Sequence, residues 1–394
     1  MHSPSWSQPL AAKPWTDGGF GLYIHWPFCE AKCPYCDFNS HVVRKIDQNR
    51  WAEAYLQELD RTAANTSDRL LNSVFFGGGT PSLMDPQTID EILTRVRQNW
   101  SVTNDIEITM EANPSSVEAN RFAAYRSAGI NRVSLGVQAL NDPDLKALGR
   151  LHSAKEARIA LDIAQNTFER VSFDLIYARQ GQSVKDWETE LTEALTYGTD
   201  HMSLYQLTIE DGTAFGDRFA VGKLRDLPSD DSAADMFELT QDMMRTADMP
   251  AYEVSNHAKM GQESQHNMIY WRGGDYIGIG PGAHGRLTFD GTRFATETPL
   301  NPSEWLIQVE DTGNGAQPNL PVPDDDVDTE YLMMALRTTE GADLTRLRNR
   351  PDDDLMYNIN DLVDSDLLVR TEGRVSVPPS QRILLNAILR QLLV

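Results

Sequence analysis

The sequence predicts an α/β fold built around a parallel β-sheet. Short apolar stretches typical of strands recur roughly every 30 residues, and amphipathic stretches typical of helices lie between them. Repeated strand–helix units join parallel strands by right-handed crossovers, which would curl the sheet into an open or closed barrel. The predicted strands are 21–26, 73–76, 105–110, 132–137, 171–176 and 202–207, and the predicted helices are 47–64, 86–99, 117–128, 154–166 and 184–197.

The pattern changes after residue 230. A helix is predicted near 231–247, and an irregular, Gly-rich stretch follows over 252–285. The segment GRLTFDGTRFAT then predicts a hairpin that turns at Asp290–Gly291, because an Asp-Gly pair suits a two-residue hairpin turn. The Pro- and Asp-rich stretch 317–328 is typical of a linker.

The last part of the chain has a winged-helix-like pattern. Helices are predicted near 328–338, 342–348 and 353–363, and LLVRTEGRVSVP predicts a two-stranded wing turned at Glu372–Gly373, before a terminal helix over 379–392. The acidity of this part argues against the DNA-binding role of many winged helices. We therefore divide the chain into a leader (1–20), a core barrel (21–230), an extension of the core (231–316) and a small C-terminal domain (317–394).

Composition excludes some classes of function. The formal net charge of −23 argues against a nucleic-acid partner, since phosphate binding needs clustered Lys and Arg. The chain contains no apolar run of the ~18 residues that a membrane helix needs. The N-terminal segment lacks the basic and apolar regions of a secretory signal, so a cytoplasmic location is expected.

All three cysteines of the chain lie in WPFCEAKCPYCDFNSH, directly after the first predicted strand. An odd, local set of thiols cannot form a disulfide framework, so metal binding, redox chemistry and coincidence remain. Three thiolates in one loop could hold three irons of a [4Fe–4S] cluster and leave the fourth iron open to another ligand. The alternative is structural zinc, for which His25 or His41 would have to complete the four ligands.

The stretch YIHWPFCEAKCPYCDFNSH resembles the start of the radical S-adenosylmethionine (SAM) superfamily core. It is most similar to the branch that holds oxygen-independent coproporphyrinogen III oxidases (dehydrogenases) and HemW-type haem chaperones. The resemblance implies a partial (β/α)6 barrel of the TIM type with a small C-terminal winged-helix-like domain. It also implies a [4Fe–4S] cluster on Cys29, Cys33 and Cys36, whose open iron is chelated by SAM. Reduction of such a cluster cleaves SAM to a 5′-deoxyadenosyl radical.

Polar residues at successive strand ends match the SAM-binding positions of this family. The segment FFGGGTPS contains a Gly triplet without the Lys-Ser/Thr of a phosphate-binding loop, and alone it indicates only a turn. The Arg of LGRLH could bind a carboxylate with two hydrogen bonds. Taken singly, each residue is as typical of an ordinary strand end; the resemblance assigns to SAM the residues Tyr23, Gly78, Gly79, Thr80, Glu111, Gln138, Arg150 and Asp174.

One segment departs from the family pattern. The family reads D-L-x-x-G-L-P-G-Q after the fifth strand, whereas this chain reads DLIYARQGQ. Ala178, Arg179 and Gln180 replace Gly-Leu-Pro, while Gly181 and Gln182 remain. The shape of this loop is therefore an open question at the level of sequence.

Three features favour the chaperone branch over the enzyme. The enzymes carry a fourth cysteine at the position of Phe38, and they have a longer segment before the first strand. The segment HNMIYW matches the H-N-x-x-Y-W motif of HemW-type proteins, which implies haem ligation by His266 with Tyr270 and Trp271 as flat faces for the porphyrin. The alternative is a core histidine among aromatic packing residues. Gln265 stands where relatives often carry a cysteine, and His284 is a lesser haem candidate.

The resemblance thus predicts a haem chaperone that delivers haem to acceptor haemoproteins, respiratory ones among them, and that needs a reductant for its cluster. It assigns no catalytic residue and leaves a homodimer open. The alternative is oxidative decarboxylation of coproporphyrinogen III. A third class, radical modification of RNA, is disfavoured by the acidic charge.

Overall fold

The structure, a computed structural model, describes residues 14–349 and 353–393. The strands within these ranges are β1 (Phe20–Trp26), β2 (Phe28–Cys29), β3 (His41–Val42), β4 (Leu70–Gly78), β5 (Ser101–Ala112), β6 (Arg132–Gln138), β7 (Arg170–Tyr177), β8 (His201–Gln206), β9 (Asn256–Ala258), β10 (Asp275–Ile279), β11 (His284–Phe289), β12 (Thr292–Glu297), β13 (Leu320–Pro321), β14 (Ala342–Asp343), β15 (Val369–Thr371) and β16 (Arg374–Ser376).

The α-helices of the same ranges cover the sheet and build the end of the chain. They are α1 (Pro14–Gly18), α2 (Gln48–Ala63), α3 (Pro86–Asn99), α4 (Ala119–Ala128), α5 (Asp142–Ala147), α6 (Ala154–Thr167), α7 (Val184–Leu195), α8 (Ala214–Ala220), α9 (Asp230–Thr246), α10 (Gln265–Trp271), α11 (Pro302–Thr312), α12 (Asp324–Ala335), α13 (Asp353–Asp364) and α14 (Leu385–Leu393). None of these described helices combines the length and the apolar character that crossing a membrane requires.

One sheet of eleven strands forms the centre, in the order β13-β12-β11-β10-β1-β4-β5-β6-β7-β8-β9. The strands β1, β4, β5, β6, β7 and β8 are parallel neighbours in chain order, and β10 adds in parallel to the free side of β1. The antiparallel strands β9 and β11 to β13 extend the two edges. The predicted α/β class with a mostly parallel sheet is confirmed, and the linear strand order makes the sheet open.

The sheet curls around its own interior. Tyr23 of β1 and Ser203 of β8, which lie five strands apart, line the same cavity. The strands are buried on both faces because helices cover the outside, as parallel sheets require; in β1, Leu22 and Ile24 are fully buried. A capping box at Ser153 begins α6, and a second one at Ser183 begins α7. In both covering helices the N-cap and N3 amides therefore have hydrogen-bond partners.

Most predicted elements lie where the sequence placed them, including all six parallel strands and the five helices between them. The stretch 252–285 was wrongly expected to be irregular, since it contains β9, α10 and β10. Its glycines mark close packing: a Cβ on Gly278 would lie 2.1 Å from the carbonyl oxygen of His284, so only glycine lets β11 fold back onto β10. The helices α5, α8 and α11 were not predicted.

The C-terminal part contains the predicted wing and has its own hydrophobic core. The hairpin turns at Asp290–Gly291 and Glu372–Gly373 both have the positive φ angles of their turn type, from 47° to 85°. A cluster of buried side chains from Tyr331 to Leu392 forms the second core. The helix expected over 342–348 is instead β14 and a short 3₁₀ helix, and the terminal helix becomes α-helical only at Leu385.

The domain boundaries stay predictions. The expected linker over 317–328 contains β13 and the first residues of α12. Most of the expected leader lies outside the described residues, and its described end forms α1 before β1 begins at Phe20.

A buried ion-pair network joins the strands at one end of the sheet. Asp275 of β10, whose side chain is fully buried, accepts from Arg69 at 2.6 Å and from Arg293 at 3.1 Å. It also accepts from the Thr288 hydroxyl at 2.9 Å. The network holds the β10–β12 extension against the segment before β4.

Candidate cluster and cofactor site

The cysteine loop connects β2 to β3, which pair in parallel at Phe28–His41 and Cys29–Val42. All three thiol-bearing residues are half-buried. The backbone amide of Cys36 donates to the carbonyl of Cys33 at 3.2 Å, which closes a turn between these two cysteines. The loop therefore presents three thiols beside the carboxyl end of β1, where the sequence placed them.

The Gly-rich segment after β4 is bound tightly to this loop. The amide of Gly79 donates to Trp26 O at 2.7 Å, and the amide of Thr80 donates to Phe28 O at 2.8 Å. A Cβ on Gly79 would lie 2.6 Å from Phe28 O, so the close approach requires glycine. The Thr80 hydroxyl lies 3.5 Å from the sulfur of Cys29. The segment assigned to SAM thus adjoins the first thiol.

Arg150 contacts the second thiol, that of Cys33. Its Nη1 donates to the sulfur of Cys33 at 3.3 Å, and its Nη2 donates to Gly136 O at 2.8 Å and to the Asn113 side chain. Arg150 Nε is buried and, among the described residues, finds no partner; the same holds for Oε1 of Gln138. Both side chains lie next to Gly136.

These two buried and unpaired atoms are a donor and an acceptor at the edge of the cysteine loop. Buried polar groups in native proteins normally have partners, so these two atoms are available to a ligand. A ligand with an amino group and a carboxylate can satisfy both kinds of atom. The donor set therefore fits the amino-acid part of SAM.

Two carboxyl groups face the cavity inside the sheet. Burial, and to a lesser extent the charge of Asp174, raise the pKa of Glu111 to about 8, although its Oε2 accepts from the Gly78 amide at 3.2 Å. Burial likewise raises the pKa of Asp174 to about 6, against hydrogen bonds from Ser203 and Ser134. The cavity, of about 180 Å³, is lined by both carboxyls and by Tyr23.

His25 and His41, the candidates for a fourth zinc ligand, have structural partners. His25 Nδ1 lies 3.0 Å from the Tyr23 hydroxyl, and its Nε2 lies 2.9 Å from Asn39 O, so neither ring nitrogen is free. His41 Nε2 lies 3.1 Å from the Asn39 side chain. In the described part of the chain, no three Cys, His, Asp or Glu side chains are grouped to hold a single metal ion.

The residues assigned to haem lie on the short helix α10. His266 is buried, with Nδ1 2.7 Å from the Ser73 hydroxyl and Nε2 2.7 Å from the Tyr270 hydroxyl. Its ring stacks on Phe75 with centroids 5.0 Å apart. Burial lowers the pKa of His266 to about 3, so the ring is neutral at physiological pH.

His266 and Tyr270 line the same cavity as the SAM candidates Tyr23, Glu111 and Asp174. Trp271 instead packs outside this cavity in a cluster with Tyr252 and Met268. Gln265 donates its amide to Glu107, and His284 lies exposed on β11 beside Glu297. The structure thus brings two sets of predicted residues together and leaves Trp271 and His284 apart from them.

Several cavity residues were missed by sequence reasoning. They alternate along their strands, so inward-pointing positions on the confirmed strands would have identified those on β6 and β8. The residues on β9 and α10 belong to elements that the sequence did not reveal. The missed lining residues are Phe75, Arg132, Ser134, His201, Ser203, Tyr205, Asn256 and Asn267.

The departing loop after β7 has positive φ angles at two positions. Ala178 has a φ angle of 56°, in the left-handed region that favours the glycine found there in relatives. Gly181 also has a positive φ, of 72°. Arg179 is buried, with its guanidinium between Asp144 and Glu190.

Comparisons with known proteins identify the class. The family model described as the radical SAM superfamily matches residues 23–193. In structure, the chain is similar to coproporphyrinogen III oxidase (HemN) from Escherichia coli, described as a radical SAM enzyme, with a TM-score of 0.80 over 97% of this chain and 91% of the other. The identity in that comparison is 21%, so it establishes a shared fold.

Relatives in sequence narrow the class to a family. The chain is 40% identical to the protein called heme chaperone HemW of Escherichia coli over 82% of this chain and 83% of the relative. It is 41% identical to the mitochondrial radical S-adenosyl methionine domain-containing protein 1 of Bos taurus, over 81% of this chain and 73% of the relative. The chain belongs to the HemW-type family of the radical SAM superfamily.

The raised pKa of Glu111 predicts a stability that changes with pH. A carboxyl whose folded pKa is about 8 stabilises the fold in its protonated form below the ordinary value of 4.5, and this contribution is lost as pH rises through 8. Glu111→Gln removes this titration. The free energy of unfolding of the variant, relative to that of the unsubstituted protein, should therefore rise as the pH increases from 4.5 to about 8. Urea unfolding across that range measures it.

The matched control is Glu53→Gln, which removes an exposed carboxylate of α2 outside the cavity. Only Glu111→Gln should show a free energy of unfolding that increases with pH relative to the unsubstituted protein. A gain that does not change with pH, or one that is equal in both variants, would show that Glu111 does not titrate as its burial requires.

Proposed function

We propose that this chain is a haem chaperone built on a radical SAM core, with a [4Fe–4S] cluster on Cys29, Cys33 and Cys36. The observation that carries the proposal is the 40% identity, over most of both chains, to a protein called heme chaperone HemW. The residue two positions after the third cysteine supports it as well. Phe38, which is 57% exposed, stands where the porphyrin-oxidising relatives carry a fourth cysteine.

The donor set supports the cofactors. Three thiols from one loop match three irons of a [4Fe–4S] cluster, and SAM bound at the fourth iron supplies radical chemistry when the cluster is reduced. Thr80 and Arg150 contact two of the thiols and would orient the cluster. The unpaired atoms of Arg150 and Gln138 would bind the amino-acid part of SAM, and Glu111 and Asp174 would face the rest of it from the cavity.

Haem is the cargo in this proposal, and His266 is its proposed axial ligand. In the described state both ring nitrogens are hydrogen-bonded, and the cavity of about 180 Å³ is smaller than the ~300–1,000 Å³ of ordinary ligand pockets. A porphyrin therefore reaches His266 only if α10 moves away from the cavity. Tyr270 and Trp271 move with it, because all three residues belong to this helix.

The partners follow from the same proposal. Acceptor haemoproteins, respiratory ones among them, would receive the haem, and a reductant would supply electrons to the cluster. A cytoplasmic location and a homodimer are compatible with a chaperone that hands over its cargo by contact. The net charge of −23 continues to disfavour a nucleic-acid partner.

A second candidate is oxygen-independent coproporphyrinogen III oxidation, because the fold matches that enzyme along 97% of the chain. One fold supports several functions, so this match does not decide between them. An assay for turnover of coproporphyrinogen III distinguishes the enzyme from the chaperone.

The cluster is tested by anaerobic reconstitution with iron and sulfide. The protein should give the electron paramagnetic resonance signal of a reduced [4Fe–4S] cluster, and SAM should perturb that signal. Cys33→Ala should lose the signal because one iron loses its thiolate. The control Ser115→Ala removes a hydroxyl that donates to Glu30 of the cysteine loop, and it should retain the signal. A colourless, zinc-loaded protein would overturn the assignment.

Haem binding is tested by titration, with an assay for protoporphyrinogen formation beside it. His266→Ala should remove the histidine-ligated absorption spectrum. Tyr270→Phe keeps the aromatic face but removes the hydroxyl that competes for Nε2, so it should bind haem more tightly. An unchanged spectrum in His266→Ala would exclude this ligand. Sustained turnover of coproporphyrinogen III would favour the enzyme instead.

A further inference from the structure

The loop after β7 contains a buried cation where the family pattern has a leucine. The side chain of Arg179 is 4% exposed. A buried guanidinium is unfavourable unless charge and hydrogen bonds compensate it, so its partners indicate what it organises.

The partners of Arg179 come from three different elements. Its Nη2 donates to Asp144 of α5 and to Glu190 of α7, each at 2.6 Å. Its Nη1 donates to Ile176 O at 2.5 Å at the end of β7. Gln182 completes the cluster, since its side chain donates to Glu190 at 3.1 Å and accepts from the Arg179 amide at 3.2 Å.

Through these partners the cluster holds the segment that leaves β6. The Oε1 atom of Glu190 accepts from the amide of Leu140 at 2.7 Å. Nη1 of Arg179 lies 3.5 Å from the carbonyl oxygen of Gln138. Asp144 belongs to α5, and the amide of Arg150 donates to Leu145 of the same helix at 2.8 Å. The cluster is therefore attached on both sides of the segment from Gln138 to Arg150.

The geometry at the two ends of this segment indicates that it is held under constraint. Gln138 has a φ angle of 72°, which a residue other than glycine keeps only when its surroundings enforce it. Its Oε1 and the Nε of Arg150 are among the buried side-chain atoms that lack a partner within the described ranges. Arg150 Nη1 also contacts the thiol of Cys33.

We infer that Arg179, together with Glu190, is a positioning residue that holds Gln138 and Arg150 in place for the amino-acid part of SAM. This inference rests on the proposed function, in which those two residues bind SAM. Arg179 itself does not reach the thiols; it acts through the Gln138 carbonyl, the Leu140 amide and α5.

The test compares Arg179→Leu, which restores the family residue without restoring its surroundings, with Arg293→Leu. Arg293 is an equally buried arginine of the Asp275 network, outside the cofactor site, and controls for a general loss of stability. Dissociation of SAM from the reconstituted protein is measured by calorimetry. In Arg179→Leu the SAM affinity should fall by about 10- to 100-fold. This is the range seen when residues that hydrogen-bond to metal ligands are substituted. In Arg293→Leu it should be unchanged.

Amide hydrogen exchange on the protein without cofactors gives a second readout. Arg179→Leu should accelerate exchange at Leu140, whose amide donates to Glu190, and Arg293→Leu should not. Arg179→Lys keeps the charge and should give intermediate values of both quantities, which covers the case in which the leucine variant does not fold.

The outcomes separate this inference from the proposed function. If the unsubstituted protein does not bind SAM, the proposed function fails, and the exchange at Leu140 alone decides whether Arg179 holds the segment. If it binds SAM and the two leucine variants behave alike in both readouts, Arg179 has no positioning role.

Discussion

The position of α10 beside the cavity depends on one buried carboxylate, that of Glu107 on β5. It accepts hydrogen bonds from the amides of Gln265 and His266, each at 3.2 Å, and it pairs with Arg170 at 2.7 Å. Arg170 in turn donates to the carbonyls of residues 262 and 263. These contacts cap the first turn of α10 with negative charge and fix the helix inside the curled sheet.

Because α10 is fixed there, His266 and Tyr270 share one cavity with Tyr23, Glu111 and Asp174. The ring of His266 stacks on Phe75, and its centroid lies 6.3 Å from that of Tyr23. In the proposed function, haem ligation by His266 requires its ring nitrogens to leave the Ser73 and Tyr270 hydroxyls, so haem binding would depend on a movement of α10.

The sequence predicted the parts of this structure that follow from local patterns. Six parallel strands follow from apolar periodicity, and the position of the thiols follows from their place directly after β1. The position of α10 inside the curled sheet could not be predicted. The carboxylate that holds this helix, Glu107, lies 158 residues before Gln265 in the chain. The role of Arg179 was hidden for the same reason: its partners Asp144 and Glu190 are brought together only by packing.

The displacement of α10 is the central claim, and amide hydrogen exchange with and without haem tests it most directly. When haem binds through His266, the amides of Gln265 and His266 must leave Glu107, so exchange across residues 265–271 should become faster. Protection of α10 that stays unchanged while the histidine-ligated haem spectrum forms would contradict the account.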